Sequence, residues 1–227
     1  MSATSLSAPQ VSPSAGNALA PLGGNTDTMH WVIGDTIDHL PRIFDDGITL
    51  SVMRRPLSDE ITASVDGLMR ESRSLEWSWR GPADDTMCAD LARKLKVTQE
   101  EALVADVCLM AEAIAYLFDA PQIGVRLRKL EGAMCPRFHV DNLGVRFITT
   151  YAGAGTEWLP DDAADRRGLG AAHPDKPDIV RDPERIQRLS CGDLALMKGS
   201  SWIGNAGRGL IHRSPPGQRL ILAIDPG

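Results

Sequence analysis

The spacing of apolar residues changes once along this chain, at Pro121, and that change limits what the chain can fold into. Before it the repeat is helical. Ser58 is a good N-cap ahead of Asp59 and Glu60, and Ile61, Val65, Leu68 and Met69 recur at helical spacing up to about Arg73. A second helix is predicted over Asp85 to Leu95. A third opens with the capping box Thr98-Gln99-Glu100-Glu101, and its stripe of Leu103, Val107, Met110, Ala111, Ile114 and Phe118 ends near Pro121. After Pro121 the apolar segments are short and separated by turn residues: Gly124 to Leu130, Arg137 to Val140, Val145 to Tyr151, Ile186 to Leu189, Leu194 to Lys198, Gly209 to His212 and Arg219 to Ile224. This pattern predicts an α+β chain, a helical N-terminal region followed by an antiparallel double-sheet jelly roll or barrel.

With 227 residues, the chain suits one globular domain, expected over 29–227, with 29–121 as mainly helical support and 122–227 as the β-barrel. Residues 1–28 are rich in Ser, Ala, Pro, Gly and Asn and read as a disordered tail without a secretory leader. The net charge of −6 and the lack of a long basic run speak against a nucleic-acid partner, and Arg126, Arg128 and Lys129 read as a solvated face. No window has the apolar length of a membrane span. Cys88, Cys108, Cys135 and Cys191 form no C-x-x-C pair, which predicts reduced thiols and a cytoplasmic protein, with Cys135 and Cys191 structural. Leu159 to Pro183, rich in Asp, Pro, Gly and Ala, reads as a long mobile or functional loop of the kind that forms lids.

The chemistry concentrates in Phe138-His139-Val140-Asp141. On a strand of period two, His139 and Asp141 project from one face. His212 ends another predicted strand. Two imidazoles and one carboxylate form the facial ligand set that leaves positions open on a non-haem Fe(II), whereas structural zinc sites are usually closed by four ligands. By itself an H-x-D tripeptide is more often a hydrogen-bonded strand histidine than a ligand.

The surroundings change that weighting. The run His139-Val-Asp141-Asn-Leu-Gly-Val-Arg146-Phe-Ile-Thr149-Thr-Tyr151, followed by Gly155-Thr156-Glu157-Trp158, resembles the prolyl-hydroxylase type of Fe(II)/2-oxoglutarate dioxygenase. Cys191-Gly192-Asp193-Leu-Ala-Leu-Met-Lys198 and His212-Arg-Ser-Pro215-Pro-Gly217-Gln-Arg219 are similar to later strands of that family, with a shorter interval before Arg219 than is usual there. The resemblance covers about Arg137 to Asp225 and implies a double-stranded β-helix of jelly-roll or cupin-like form. It implies Fe(II) on His139, Asp141 and His212, with Arg219 gripping the distal carboxylate of 2-oxoglutarate; an exposed strand cation is the plainer reading of Arg219. The blocks Gly155 to Pro160, Gly192-Asp193 and His212 to Pro216 also resemble an uncharacterised bacterial family with no assigned function.

Around this set stand residues with two readings each. Thr149 and Tyr151 share a strand face and either contact the keto acid or pack in the barrel. Arg146, one step out of phase with them, is a salt-bridge partner or a substrate contact. Glu157 is a further ligand, a substrate contact or a solvated turn carboxylate. His173 reaches the site on a closing loop or stays exposed, and Trp158 and Trp202 wall the pocket mouth or pack. The implied activity is oxidation of a peptide, an amino acid or a small molecule. The alternatives are a Zn(II)-handling jelly-roll protein on the same three ligands, or a cupin-like isomerase or sugar-binding barrel. The oligomeric state is not readable.

Overall fold

The computed structural model describes residues 29–71, 74–96, 101–205 and 207–227. The tail expected over 1–28, the end of the first predicted helix (Ser72 and Arg73) and Thr98 to Glu100 of the capping box lie outside the described residues.

Among the described residues three α-helices form where the sequence predicts them. Helix α1 (Asp59–Arg70) starts at Ser58, whose hydroxyl accepts a hydrogen bond from the Ile61 amide. Helix α2 (Asp85–Leu95) is capped by Asp84, which accepts from the amides of Thr86 and Met87. Helix α3 (Glu101–Leu117) is the longest, and it buries Leu103, Val107, Met110, Ala111 and Ile114.

Among the described residues ten strands build two sheets. The seven-stranded sheet has the order β1 (Trp31–Gly34), β2 (Leu50–Met53), β8 (Leu194–Lys198), β5 (Val145–Ala152), β10 (Arg219–Pro226), β4 (Ile123–Leu130) and β3 (Glu76–Gly81). Every neighbouring pair in it is antiparallel except β1 with β2. The smaller sheet has the order β7 (Gln187–Arg188), β6 (Glu157–Leu159) and β9 (Ile211–Arg213).

Alternation along the strands gives the large sheet two unlike faces. In β4 the burial alternates residue by residue, with Ile123, Val125 and Leu127 buried, and these three join Phe147, Tyr151 and Leu222 against the helices, where Leu68, Leu91, Leu103, Val107 and Ile114 meet them. The other face packs on the small sheet through Leu50, Val52, Ile148, Trp158, Ala195, Met197, Leu210 and Ile221. Each fully buried Leu or Ile here contributes roughly 1.5–3 kcal/mol relative to exposure.

The structure departs from the sequence reading in four places. The segment 29–121 is not simply helical support, because β1, β2 and β3 lie in it and extend the sheet at both edges. Two of these strands have only four residues and flank a 3₁₀ turn, too little for a period to show. The expected strand Arg137 to Val140 reduces to a single bridge between His139 and His212. The long segment after β6 is folded rather than loose: Ala163, Ala164 and Ile179 bury with Phe138, Leu159 and Ile211, and Ala164 bridges Val180. Finally, Cys88 and Cys108 are not free thiols. They sit on neighbouring helices α2 and α3 with Cα atoms 5.9 Å apart and form a disulfide, while Cys135 and Cys191 are free and exposed. A pairing made by helix packing leaves no spacing signal in the sequence. Among the described residues no helix is long and apolar enough to cross a membrane.

Candidate metal and anion site

Where the edge of the small sheet meets the open face of the large one, β9 carries His212, and the bridge between His139 and His212 brings the chain preceding β5 alongside it. This single pairing, made by two reciprocal backbone hydrogen bonds of 2.9 and 3.0 Å, sets the two imidazoles side by side with ring centroids 4.5 Å apart. Asp141 joins them. One ligand atom from each of His139, Asp141 and His212 lies within 4.8 Å of the others.

Hydrogen bonding selects the atoms that face inward. His139 Nδ1 lies 2.9 Å from the Arg137 carbonyl and His212 Nδ1 lies 3.1 Å from the Leu210 carbonyl, so each Nδ1–H donates outward and each Nε2 is left as an acceptor. The two Nε2 atoms stand 3.5 and 3.6 Å from the Asp141 carboxylate oxygens, beyond normal hydrogen-bond length. Three acceptors converging on one point call for a cation, and carbonyl-fixed imidazoles are the usual support of metal-ligating histidines. Arg146 holds the carboxylate from behind, its Nη1 donating to Asp141 Oδ2 at 2.6 Å and its Nε to Asp225 Oδ1 at 2.7 Å.

The electrostatics favour the ligating forms of His212 and Asp141. Burial lowers His212 to about 4, which keeps its imidazole neutral. The Asp141 carboxylate beside it holds His139 above the ordinary imidazole value. Burial alone would raise Asp141, but His139 beside it and the neighbouring positive charges override it and hold the carboxyl at about 2.

A cavity of about 270 Å³ opens beside these three residues. Its floor is the open face of β5, β10 and β4, with Ile148, Ile221, Ala223 and Leu130 as the apolar part. At the start of β10, Arg219 is 1 % exposed. Its Nη1 donates to Ser214 Oγ at 2.8 Å across the Pro215-Pro216-Gly217 turn, and its Nη2 reaches Thr156 Oγ1 at 3.4 Å. Its buried Nε has no partner, and among the described residues no carboxylate lies within ion-pair distance of this guanidinium. Desolvation pulls it down to about 10, with the charge of Glu157 opposing. The short interval after His212 is taken up by that tight turn, and Gly153 lets β5 approach it: a Cβ there would lie 2.2 Å from the Gln218 carbonyl.

The other sequence candidates lie elsewhere. Thr149 and Tyr151 are on the helix-facing side of β5; Tyr151 is buried in the core and donates to Asp106 at 2.6 Å, so neither lines the cavity. The face that does is the one carrying Arg146 and Ile148, one residue out of phase. Glu157 is buried and not a solvated turn carboxylate; it pairs with Arg188 and, at 2.6 Å, with Arg213. Trp158 packs between the sheets against Trp31. Trp202 stacks with Phe44 and Phe118 away from the cavity, and His173 is exposed beside Asp175.

Two groups of lining residues escaped the sequence reading. Ser214 and Thr156 are ordinary turn hydroxyls until Arg219 reaches them. Arg126 and Arg128 are not a solvated face: they alternate with the buried residues of β4, line the cavity, and are only about a third exposed. That alternation was the available signal. Lys129, on the opposite side, is buried and donates to the carbonyls of Leu68, Met69 and Glu71 at the end of α1.

Comparison with known proteins adds a family and a set of distant folds. No curated protein matches the chain. Similar solved structures include the rice dioxygenase for auxin oxidation (12 % identity, TM-score 0.49, covering 78 % of this chain and 73 % of that one). The Arabidopsis thaliana dioxygenase for auxin oxidation, in complex with 2-oxoglutarate, has 10 % identity and a TM-score of 0.47, with 78 % and 82 % covered. A Pseudomonas putida prolyl-4-hydroxylase has 11 % identity and a TM-score of 0.37, with 78 % and 91 % covered. Over residues 34–225, nearly the whole described chain, the sequence matches the family model described as protein of unknown function (DUF1826), and the chain belongs to that family.

Proposed function

We propose that this protein is an Fe(II)- and 2-oxoglutarate-dependent oxygenase built on a double-stranded β-helix. The observation that carries the reading is the pairing, in one cavity, of a three-ligand group with a buried arginine that has only hydroxyl partners. A buried guanidinium without a carboxylate is costly, and a bidentate carboxylate of a ligand would repay that desolvation. The order of motifs in the sequence points the same way.

When bound, Fe(II) and 2-oxoglutarate together supply the oxidation of a C–H bond by O₂, with the keto acid leaving as succinate and CO₂. The residues of the chain then have separate tasks. His139, Asp141 and His212 would occupy one side of the metal and leave the remaining positions to small ligands. Arg146 fixes the Asp141 carboxylate through Oδ2, so that Oδ1 stays turned toward His139. Arg219, oriented by Ser214 and Thr156, would hold the far carboxylate of the keto acid. Ile148, Ile221 and Leu130 exclude water from the space between.

The test is an anaerobic titration of metal-free protein with Fe(II) and then 2-oxoglutarate, following the visible metal-to-keto-acid charge-transfer band. The band should appear in the wild type and be lost in His139→Ala. Iron binding without the band, or tight binding of Zn(II) alone, would transfer the site to the zinc-handling reading, which uses the same ligands and which the Irving–Williams order favours intrinsically.

A further inference from the structure

We propose that the second, primary substrate of this cavity is a small carboxylic acid with an apolar body, its carboxylate held by Arg128 and Arg126 of β4. The inference rests on the oxygenase reading for what happens to the substrate, but the anion site itself is argued from the cavity walls.

Five guanidiniums line the cavity, those of Arg126, Arg128, Arg146, Arg213 and Arg219, and Asp141 is the one carboxylate among its lining residues. Two of the five are spoken for at the rear: Arg146 lies between Asp141 and Asp225, and Arg213 is bound to Glu157. Arg126 must share Asp225 with Arg146. Arg128 pairs with Glu76, whose side chain is 69 % exposed and therefore screened by water, and donates to the uncharged Met134 Sδ at 3.4 Å, while its Nε is buried with no partner. Arg128 and Arg126 are thus the under-compensated cations of the β4 wall, as Arg219 is of the β10 wall.

The strand register separates the two anion positions. Arg219 pairs with Leu130, Ile221 with Arg128, and Ala223 with both Arg126 and Ile148. Arg128 is therefore one strand over and two residues along from Arg219, a Cα separation of roughly 8 Å. A keto acid anchored at Arg219 would run along β10 toward the histidines. A second acid anchored at Arg128 would lie beside it along β4, with its body over Ile221 and Ala223 and its far end toward the same metal ligands. A volume of about 270 Å³ is below the range of drug-sized pockets and fits two small molecules side by side rather than a peptide segment.

The experiment uses the full chain loaded with Zn(II), which blocks turnover. A set of trifluoromethyl-labelled small carboxylic acids is compared with their matched primary amides and phosphonates by ¹⁹F line broadening, with and without 2-oxoglutarate. Acids should bind at least tenfold tighter than their amides, and binding should survive saturating 2-oxoglutarate. Arg128→Gln and Arg126→Gln should each weaken the acids about tenfold and change 2-oxoglutarate affinity less than twofold. Arg128→Lys, which keeps the charge, should retain most acid binding and controls for misfolding, with thermal melting recorded for all variants. Amides binding as well as acids, no binding of either, acids surviving Arg128→Gln, or acids displaced by 2-oxoglutarate would each overturn the proposal. Tighter binding of the phosphonates would overturn the carboxylate assignment in favour of a phosphate ester. If 2-oxoglutarate itself fails to bind while the acids bind and are lost in Arg128→Gln, the anion site stands and the oxygenase reading falls.

Discussion

The two faces of the seven-stranded sheet each draw an arginine largely out of water, and they treat it in opposite ways. On the helix face, Arg55 makes two hydrogen bonds to Asp106, at 2.6 and 3.1 Å, and Tyr151 donates to the same carboxylate at 2.6 Å. Every member of that cluster has a charged or hydrogen-bonding partner within the protein, and desolvation of the guanidinium is outweighed by Asp106. On the open face, Arg219 is more deeply buried yet meets only two hydroxyls. A closed network is an element of structure; an unclosed one at greater depth marks where a ligand completes the chemistry.

That contrast can be broken deliberately. The largest effect should come from Asp106→Ala, which strands Arg55 and the Tyr151 hydroxyl in the core. Urea unfolding should show a loss of about 3–5 kcal/mol. Arg219→Met should do the reverse, leaving the stability of the ligand-free protein within about 1 kcal/mol of wild type, or raising it, while abolishing 2-oxoglutarate binding measured by calorimetry. Equal destabilisation by the two substitutions would erase the distinction between the faces.

Next in size is a pH effect at the three-ligand group. In metal-free protein the His212 imidazole titrates at about 4, against 6.5 when unfolded. As pH falls below 6.5 the unfolded state takes up a proton that the folded state refuses, so stability drops between about pH 6.5 and 4. A shift of this size corresponds to about 3 kcal/mol. His139 is shifted the opposite way, and its contribution is present below pH 6.5 and lost as pH rises through its folded value. Unfolding midpoints of metal-free His212→Asn should therefore depend less on pH over this window than those of wild type. An unchanged slope would show that His212 is not held neutral by burial.

The smallest effect sharpens the comparison. Ser214→Ala removes one of the two hydroxyls on Arg219 and should weaken 2-oxoglutarate binding several-fold, about 1 kcal/mol, with iron affinity unchanged. A variant indistinguishable from wild type would show that Arg219 is placed by the strand register alone.

The sequence carries whatever depends on near neighbours. Caps and stripes mark α1, α2 and α3, alternation marks β4, short apolar segments between turn residues mark β5, β8 and β10, and the H-x-D block names two of the three residues that meet with His212. These signals survive because a helix turn or a strand pleat is set by residues a few positions apart. The tertiary structure decided the rest. Only the bridge between His139 and His212, not a regular strand, brings the ligands together. A strand face is fixed by which side meets the helices, so Tyr151 went to the core and Arg126 and Arg128 to the cavity, although each stands in a plain alternating run. The Cys88–Cys108 disulfide exists because α2 packs on α3. Whether a buried charge is satisfied depends on groups far apart in the chain, as Thr156, Ser214 and Arg219 are, and one-dimensional spacing holds no record of them.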